Sequence, residues 1–440
     1  MKLNKITFAL LIALFVGKAA TGQEVLSLDR VIGLALENGY DVRLAKNALQ
    51  AASTDNAFAV GGFLPQLNGI ASTTWNNNNQ KLEFQDATRN NSGRAESNNT
   101  AAGVQLNWLL FDGSRMFATR ARLAEIEQQG EINVKNQMVN TIAQVIINYY
   151  NIIQQKQQLK ALEELMSLNE ERVRLADRKL SVGTGIKQEL LQAKLDLNAQ
   201  RTQFISQQTS IEQLKNQLNV LVGMKLPASF EVSDSIEINL NITKEEITDN
   251  LQNRNFLLQS IRKDMSVAQL QYRERFSEYF PTVSFGAAYN YSFTDNKTLI
   301  NPFQALTNRS NGYNYGFTLG VPILNNFVTR RNVQQAQINF SRQRLLYDQQ
   351  AAVINTAVQN AYVNYDNARK VLLIEEENIL LAKENANIAM ESFKRGVSTF
   401  IEQRIAQQTL EEAYNRLINA RYLTKVAETE LLRLSGDLLK

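Results

Sequence analysis

The sequence predicts a mainly α-helical protein with a β-barrel part, built from a strand–strand–long helical hairpin unit that occurs twice. Three observations support this fold class. The chain contains an internal duplication, it has four runs that alternate like strands, and it has two stretches of about 69 residues without proline. A length of 440 residues would allow two or three ordinary domains, but the duplication accounts for the organisation better.

The first 22 residues have the pattern of a secretory signal peptide. Lys2 and Lys5 give a basic start, and Ile6 to Val16 form an apolar run that is too short to span a bilayer. Small residues follow at Ala20 to Gly22, and cleavage there would leave Gln23 as the first mature residue. A buried N-terminal helix is the alternative. No later segment reaches ~18 continuous apolar residues, so an exported chain would be soluble, secreted or a β-barrel.

Charge and composition argue against nucleic-acid binding and against catalysis. The formal net charge is +4, and three lysines of the signal segment supply most of it, so the mature chain is close to neutral. The chain has no His and no Cys, which removes the usual nucleophile–base pairs and most transition-metal sites. No Gly-rich phosphate loop occurs. We therefore predict no enzyme, no cofactor and no metal site, which also argues against an enzyme anchored by a barrel.

The duplication divides the chain into two similar copies. Pro65 pairs with Pro281 at an offset of 216 residues, and Gly183 pairs with Gly396 at an offset of 213. The offset changes within a region that is predicted to be an external loop. The predicted organisation is a signal peptide (1–22), a first structural repeat (23–223), an equatorial linker (224–243) and a second structural repeat (244–440).

Four runs predict strands. Residues 283–293 and 313–321 alternate between aromatic or aliphatic side chains and small polar ones, and residues 104–110 do so in the first copy. The remaining strand of that copy, about residues 66–76, has a weaker pattern and ends in Trp75. Each run has about 10 residues, the length of a tilted strand that crosses a bilayer. Apolar-out, polar-in alternation with aromatic residues is typical of transmembrane barrels, although a strand in a soluble sandwich also alternates.

Four strands cannot close a barrel, and an open edge in lipid leaves backbone groups unpaired. The protein should therefore form an oligomer. Two copies would give eight strands and a filled interior, whereas three would give twelve and room for an aqueous lumen. The polar stretches 76–99 and 295–311 suit solvated external loops.

The two long stretches predict helices. Residues 112–180 and 326–394 lack proline, and a continuous helix of about 69 residues would reach ~100 Å. Their apolar spacing suits a packed seam and their other faces are polar, as in a wall that encloses water or in a coiled-coil stalk. Each helix ends at a glycine, Gly183 or Gly396, which permits the left-handed backbone of a helix end. Thr184 or Gly185, and Ser398 or Thr399, could cap the returning helix.

The ordered set of motifs resembles the TolC-type outer-membrane factor family, also called outer membrane efflux proteins. The first tip reads LSVGTGIKQE over 180–189 and the second FKRGVSTFIE over 393–402, each followed by a helix that contains paired Ala and Gln. The sequences LLFDG over 109–113 and VPILN over 321–325 resemble the family's strand-to-helix junctions. The resemblance covers residues 24–437.

This resemblance implies a homotrimer with a 12-stranded barrel in the outer membrane and a periplasmic α-helical tunnel. It also implies docking onto a periplasmic adaptor (membrane fusion) protein and an inner-membrane transporter of the RND, ABC or MFS type, which would supply the energy. The implied docking residues are those of the two tips: Val182, Gly183, Thr184, Gly185, Arg395, Gly396, Val397 and Ser398.

The resemblance also implies a gate above the tips. Glu402 matches a family position that places an acid in the lumen, whereas the second such position is Ile405, so that ring of acids is missing. Glu189 is the corresponding residue of the first copy, where a solvated first-turn acid is the alternative. The predicted function is the exit duct of a tripartite efflux or type I secretion system. A trimeric coiled-coil surface stalk or adhesin anchored by a small β-barrel is the alternative, but a stalk needs no returning helix.

Overall fold

We describe the protein from a computed structural model, which covers residues 25–227, 230–301 and 303–439. The predicted signal peptide, residues 1–22, lies outside the described residues. Within the described ranges the strands are β1 (Val25–Leu26), β2 (Gln66–Leu82), β3 (Asn91–Asp112), β4 (Glu231–Val232), β5 (Thr282–Thr298) and β6 (Thr307–Gly320). In the same ranges the helices are α1 (Leu28–Asn38), α2 (Tyr40–Ala57), α3 (Arg115–Ser181), α4 (Lys187–Leu221), α5 (Lys244–Thr248), α6 (Leu251–Arg254), α7 (Phe256–Phe276), α8 (Val328–Lys394) and α9 (Phe400–Ser435).

The two long helices and their returns are confirmed. Helices α3 and α8 each run for 67 residues without a break, and α4 and α9 follow them after short turns. Continuity over this length requires every interior residue to keep its backbone hydrogen bond, which the absence of proline allows. Among the described residues, no helix carries an apolar stretch long enough to cross a membrane.

The strands are longer than the sequence predicted. Strands β2 and β3 pair from the start of β2 to its end, so that most of the predicted external loop 76–99 is strand. The same holds for part of 295–311, where β5 and β6 continue past the predicted ends. The prediction was wrong here because Asn, Ser and Asp favour turns but do not by themselves end a strand. Their side chains bond across the ladder instead, as Asn76 does to Ser97 at 3.3 Å and Arg94 to Asn77 at 2.5 Å.

The sheet is antiparallel with the order β2-β3-β5-β6, so β2 and β6 are its edges. Its register gathers the aromatic and aliphatic side chains on one face. That face carries Leu67, Trp75, Val104, Leu106, Trp108, Phe285, Tyr289, Tyr291, Tyr313, Tyr315, Phe317 and Leu319. The opposite face carries Asn68, Ser72, Gln105, Asn107, Ser284, Asn290, Asn314 and Thr318, with Ile70 and Leu109 as apolar exceptions. The predicted segregation of the two faces is therefore confirmed.

The chain forms two compact units, and each draws on both sequence copies. Among the described residues, one unit comprises 25–49, Gly130–Ser260 and the residues from Asp348 onward, and the other comprises Gln50–Gln129 and Ile261–Tyr347. The first unit contains α4, α9 and most of the two long helices, and the second contains the four-stranded sheet and the first turns of α3 and α8. The boundaries of the duplicated copies stay a prediction.

The linker is not a loose connection. Its strand β4 pairs in parallel with β1, beside the buried Tyr149, whose hydroxyl donates to the Leu26 carbonyl at 2.7 Å. The same hydroxyl accepts from the Ser233 amide at 3.2 Å. In the second copy, the Tyr365 hydroxyl donates to the Asn239 carbonyl at 2.5 Å. The long helices thus hold the linker backbone through buried tyrosines.

Candidate docking and gating site

The first tip, residues 182–185, closes helix α3 through backbone hydrogen bonds. Gly183 has a φ of 74°, and the amides of Thr184 and Gly185 both donate to the Lys179 carbonyl at 2.9 Å. The predicted capping of the next helix by Thr184 or Gly185 is wrong. The Thr184 hydroxyl donates back to the Lys179 carbonyl at 3.2 Å, and Ile186 precedes α4 without a side-chain cap. The Thr184 side chain is therefore used to end α3.

The second tip, residues 395–398, has the same left-handed turn and a stronger helix start. Gly396 has a φ of 75°, and the Val397 amide donates to the Ser392 carbonyl at 2.9 Å. Thr399 caps α9, as predicted, and forms a capping box with Glu402. The Glu402 amide donates to the Thr399 hydroxyl at 3.2 Å, and the Thr399 amide donates to the Glu402 carboxylate at 2.8 Å.

The structure brings the two tips together. The Lys179 ammonium donates to the Phe393 carbonyl at 3.1 Å and lies 3.7 Å from the centroid of the Phe393 ring. Lys394 pairs with Glu171 at 2.9 Å, which connects the same two helices, α8 and α3. These contacts make one composite end out of two hairpins that are distant in sequence.

Both tips present apolar side chains to solvent. Val397 is 80 % exposed, and Val182 and Ile186 are also exposed. A Cβ added at Gly183 or Gly396 would meet nothing within 4 Å, so only the positive φ selects glycine inside the chain. The tips therefore leave open space around their turns.

Two of the candidate gate residues, Glu189 and Glu402, lie in the first turns of α4 and α9, and Ile405 lies in the second turn of α9. Ile405 is exposed and Glu189 is partly exposed. Glu402 is exposed as well, but one carboxylate oxygen is held by the capping box. Its carboxylate thus has a structural role at the helix start in addition to any role in a lumen.

A buried charged network, which the sequence reasoning missed, lies among the helices near the tips. The Arg172 side chain, in α3, is only 2 % exposed, and its guanidinium donates to the Asp196 carboxylate in α4 at 2.6 Å. Arg404 in α9 meets the same carboxylate oxygen at 3.2 Å. One carboxylate therefore joins three helices, two from the first hairpin and one from the second.

Amide side chains extend this network. Gln407 donates to Asn169 at 2.9 Å, Asn169 donates to Gln200, and Gln403 donates to Gln407 at 3.2 Å. All four of these side chains are buried. Buried amides are stable only when they are bonded, so the network fixes how the hairpins are aligned.

Burial dominates the electrostatics of this network. Burial lowers the pKa of the Arg172 guanidinium, and the Asp196 carboxylate opposes this shift. Burial also raises the pKa of Glu411, which lines a cavity of about 170 Å³ together with Arg172 and Arg404. The Arg172 guanidinium also lies 5.3 Å from the centroid of the Phe400 ring.

Departures from the duplication are the sequence signal for this network. At the offset of 213, Arg172 corresponds to Asn385, Asp196 to Thr409, and Leu191 to Arg404. Each charge thus stands opposite an uncharged residue in the other copy. Motifs shared by the two copies therefore do not include these positions.

Comparison with known proteins agrees with this architecture. The family model of the outer membrane efflux proteins matches residues 31–224 and 247–437. The outer membrane efflux protein BepC of Brucella suis biovar 1 (strain 1330) is 21% identical over 425 residues, which cover 96% of this chain and 88% of BepC. The cation efflux system protein CusC of Escherichia coli (strain K12) is 21% identical over 417 residues, 92% of this chain and 85% of CusC.

Solved structures share the fold. A crystal structure of CusC superposes with a TM-score of 0.76 at 19% identity and covers 93% of this chain and 92% of that chain. The Campylobacter jejuni CmeC outer membrane channel gives a TM-score of 0.77 at 18% identity, over 93% of this chain and 85% of that chain. With both copies of the duplication matched by the family model, the chain belongs to the outer membrane efflux protein family.

Proposed function

We propose that three copies of this chain form a 12-stranded barrel in the outer membrane that continues as a periplasmic tunnel. The sheet supports this arrangement, because β2 and β6 are its two edges and run in opposite directions. A second copy can therefore add its β2 to β6 and continue the antiparallel order. Closure removes both edges, which lipid would otherwise leave unpaired.

The proposed activity is passive conduction in a tripartite efflux or type I secretion system, without catalysis. The observation that carries it is the pair of returning helices that end at one composite tip. An inner-membrane transporter would supply the energy, and a periplasmic adaptor would connect it to the tips. A surface stalk would gain nothing from two hairpins that meet at a common end.

The tips are proposed to receive the adaptor's helical hairpin. Val182, Val397 and Ile186 offer apolar contact area, and Gly183 and Gly396 leave room for a close backbone approach. Arg395 adds a positive charge at the second tip. Acidic and apolar side chains on the adaptor would complement this surface.

Substitution of Gly396 tests the docking role. Gly396→Asn keeps a residue that tolerates the left-handed turn but adds bulk to the open space, whereas Gly396→Ala strains the turn with little bulk. We expect Asn to impair export more than Ala while trimers still form. Export is measured as ethidium accumulation in host cells that accumulate the dye when the gene is deleted. Unchanged export in Gly396→Asn and in Gly183→Asn would contradict the docking role.

Glu402, Ile405 and Glu189 are proposed to line the constriction near the tips. Glu402→Gln tests this, because Gln can keep the capping box while it removes the charge. We expect altered single-channel conductance and weaker block by divalent cations. Glu412→Gln, an exposed acid further along the same helix, is the matched control. Equal conductance and equal cation block in wild type and Glu402→Gln would remove this residue from the gate.

A further inference from the structure

The chain has two strand-to-helix junctions with the same unusual backbone. In the first, between β3 and α3, Gly113 and Ser114 have φ values of 71° and 70°. In the second, between β6 and α8, Asn326 and Phe327 have φ values of 51° and 62°. The pairs correspond at the offset of 213. A left-handed conformation is rare for a bulky residue such as Phe327, and it persists only where the surroundings impose it.

The first junction is covered by the chain itself. A Cβ added at Gly113 would lie 2.4 Å from the Ser277 carbonyl oxygen and 2.9 Å from the Phe280 Cβ. The turn therefore rests directly on the residues that precede β5. This contact follows from the sheet, because Asp112 at the end of β3 pairs with Thr282 at the start of β5.

The second junction has no such cover in the described chain. Ile323 is 93 % exposed, Phe327 is 69 % exposed, and Val321 and Leu324 are exposed as well. Four large apolar side chains within seven residues form a patch of the kind that a partner surface normally covers. Among the described residues, no packing contact on the exposed Phe327 ring accounts for its strained backbone.

The segment that corresponds to 277–280 is residues 61–64, because Pro281 corresponds to Pro65. This segment is also uncovered: Phe58 and Leu64 are exposed, and a Cβ added at Gly61 or Gly62 would meet nothing within 4 Å. Neither glycine has a positive φ. No contact among the described residues therefore requires two glycines here, whereas a close approach from outside would.

The edges of the sheet bring these two segments together between copies. If β2 of a second copy pairs with β6, the second copy's β2 start lies beside the end of β6, as the start of β5 lies beside the end of β3. The side chains at the two junctions differ in a complementary way: the second junction has a larger residue in the turn and smaller residues in the segment opposite it. Phe327 stands where the first junction has Ser114, and Gly61 and Gly62 stand where the first contact has Ser277 and Glu278.

We propose that residues 321–327 of one copy pack against residues 58–64 of the next, and so repeat between copies the junction contact that one chain makes within itself. The occupant of the exposed patch is a second copy of this chain. This inference rests on the proposed oligomer. It adds a specific contact, in which the Phe327 ring lies over the Gly61-Gly62 backbone.

An engineered disulfide tests the contact, because the chain has no cysteine of its own. Asn326 and Leu64 correspond to Gly113 and Phe280, whose Cβ positions are close enough for a disulfide after a small adjustment. Under mild oxidation, Leu64→Cys combined with Asn326→Cys should give covalent oligomers on denaturing gels, at least ~10-fold above either single variant. Leu64→Cys with Phe303→Cys is the control, since Phe303 lies in the β5–β6 connection at the other end of the sheet.

Two results would overturn the inference. One is a double-cysteine variant that forms no disulfide-linked oligomer on the gel although an amine cross-linker traps its trimers. This result would refute the proposed contact but not the proposed trimer. The other is strong quenching, by brominated phospholipid, of a fluorophore on Leu324→Cys, which would place the patch in lipid. Absence of trimers in the wild type would instead refute the proposed function. Phe327→Gly removes the ring but tolerates the positive φ, and we expect its trimers to dissociate at a lower temperature than the wild type.

Discussion

Asp196→Ala removes the one carboxylate that Arg172 and Arg404 share. Arg172 loses its 2.6 Å partner while its side chain stays 2 % exposed, and its remaining bond, to Gln407, is 3.4 Å long. Arg404 is 39 % exposed and can be hydrated by solvent. The cost therefore falls almost entirely on Arg172.

The size of the effect follows from this burial. Removal of one partner from a buried ion pair typically costs ~3–5 kcal/mol, because the other charge stays uncompensated. The cavity of about 170 Å³ beside Arg172 can admit water, which reduces this cost. We expect ~3 kcal/mol of local destabilisation, which is a factor of ~10² in an opening equilibrium.

Amide hydrogen exchange in α3 and α9 around Arg172 and Gln407 measures this opening. We expect exchange there to accelerate by ~10²-fold in Asp196→Ala. Arg201→Ala is the matched control, because Arg201 also connects α4 to α3, at 3.4 Å from Glu170, but both side chains are about half exposed. Arg172→Met combined with Asp196→Leu should restore slow exchange, since it removes both members of the buried ion pair. Exchange in Asp196→Ala as slow as in the Arg201→Ala control would refute this reasoning.

Three further predictions concern the helices and the linker. Burial and the nearby Glu237 and Glu428 raise the pKa of Tyr150 from 10 to about 12 in the folded protein. Between pH 10 and 12 this phenol therefore ionises in the unfolded chain but not in the folded one. Stability should therefore fall between pH 10 and 12, and Tyr150→Phe should reduce that loss in pH-dependent unfolding midpoints. Thr399→Ala should cost ~1 kcal/mol at the start of α9, seen as faster amide exchange there. Tyr149→Phe should cost ~1–3 kcal/mol in denaturant unfolding, because it leaves the Leu26 carbonyl unpaired.

The long helices and their ends could be predicted because single residues decide them. One proline would have broken α3 or α8, and none occurs; one glycine each, Gly183 and Gly396, allows the left-handed turn. The faces of the sheet followed from alternation, since the period of a strand is fixed by its geometry. These features depend on the local sequence and not on tertiary contacts.

The strand ends and the cap of α4 depend on partners and were predicted wrongly. Asn76 and Asn77 have low strand propensity, but each finds a side chain across the ladder, Ser97 and Glu96, that keeps β2 extended. The Thr184 side chain could cap the start of α4 or bond to the end of α3, and it bonds to the Lys179 carbonyl of α3. Neither contact can be predicted from the strand or capping propensities of the residues alone.

The duplication revealed the two tips and concealed the charged network. It identified the tips, because Gly183 and Gly396 serve the same backbone need in both copies. It concealed the charged network, because Arg172 and Asp196 have no charged counterpart. A turn that needs a positive φ occurs in both copies, because the fold repeats. A buried ion pair can occur in one copy only, because it needs just one set of partners. Differences between the copies are therefore the better sequence guide to where one hairpin is held against the other.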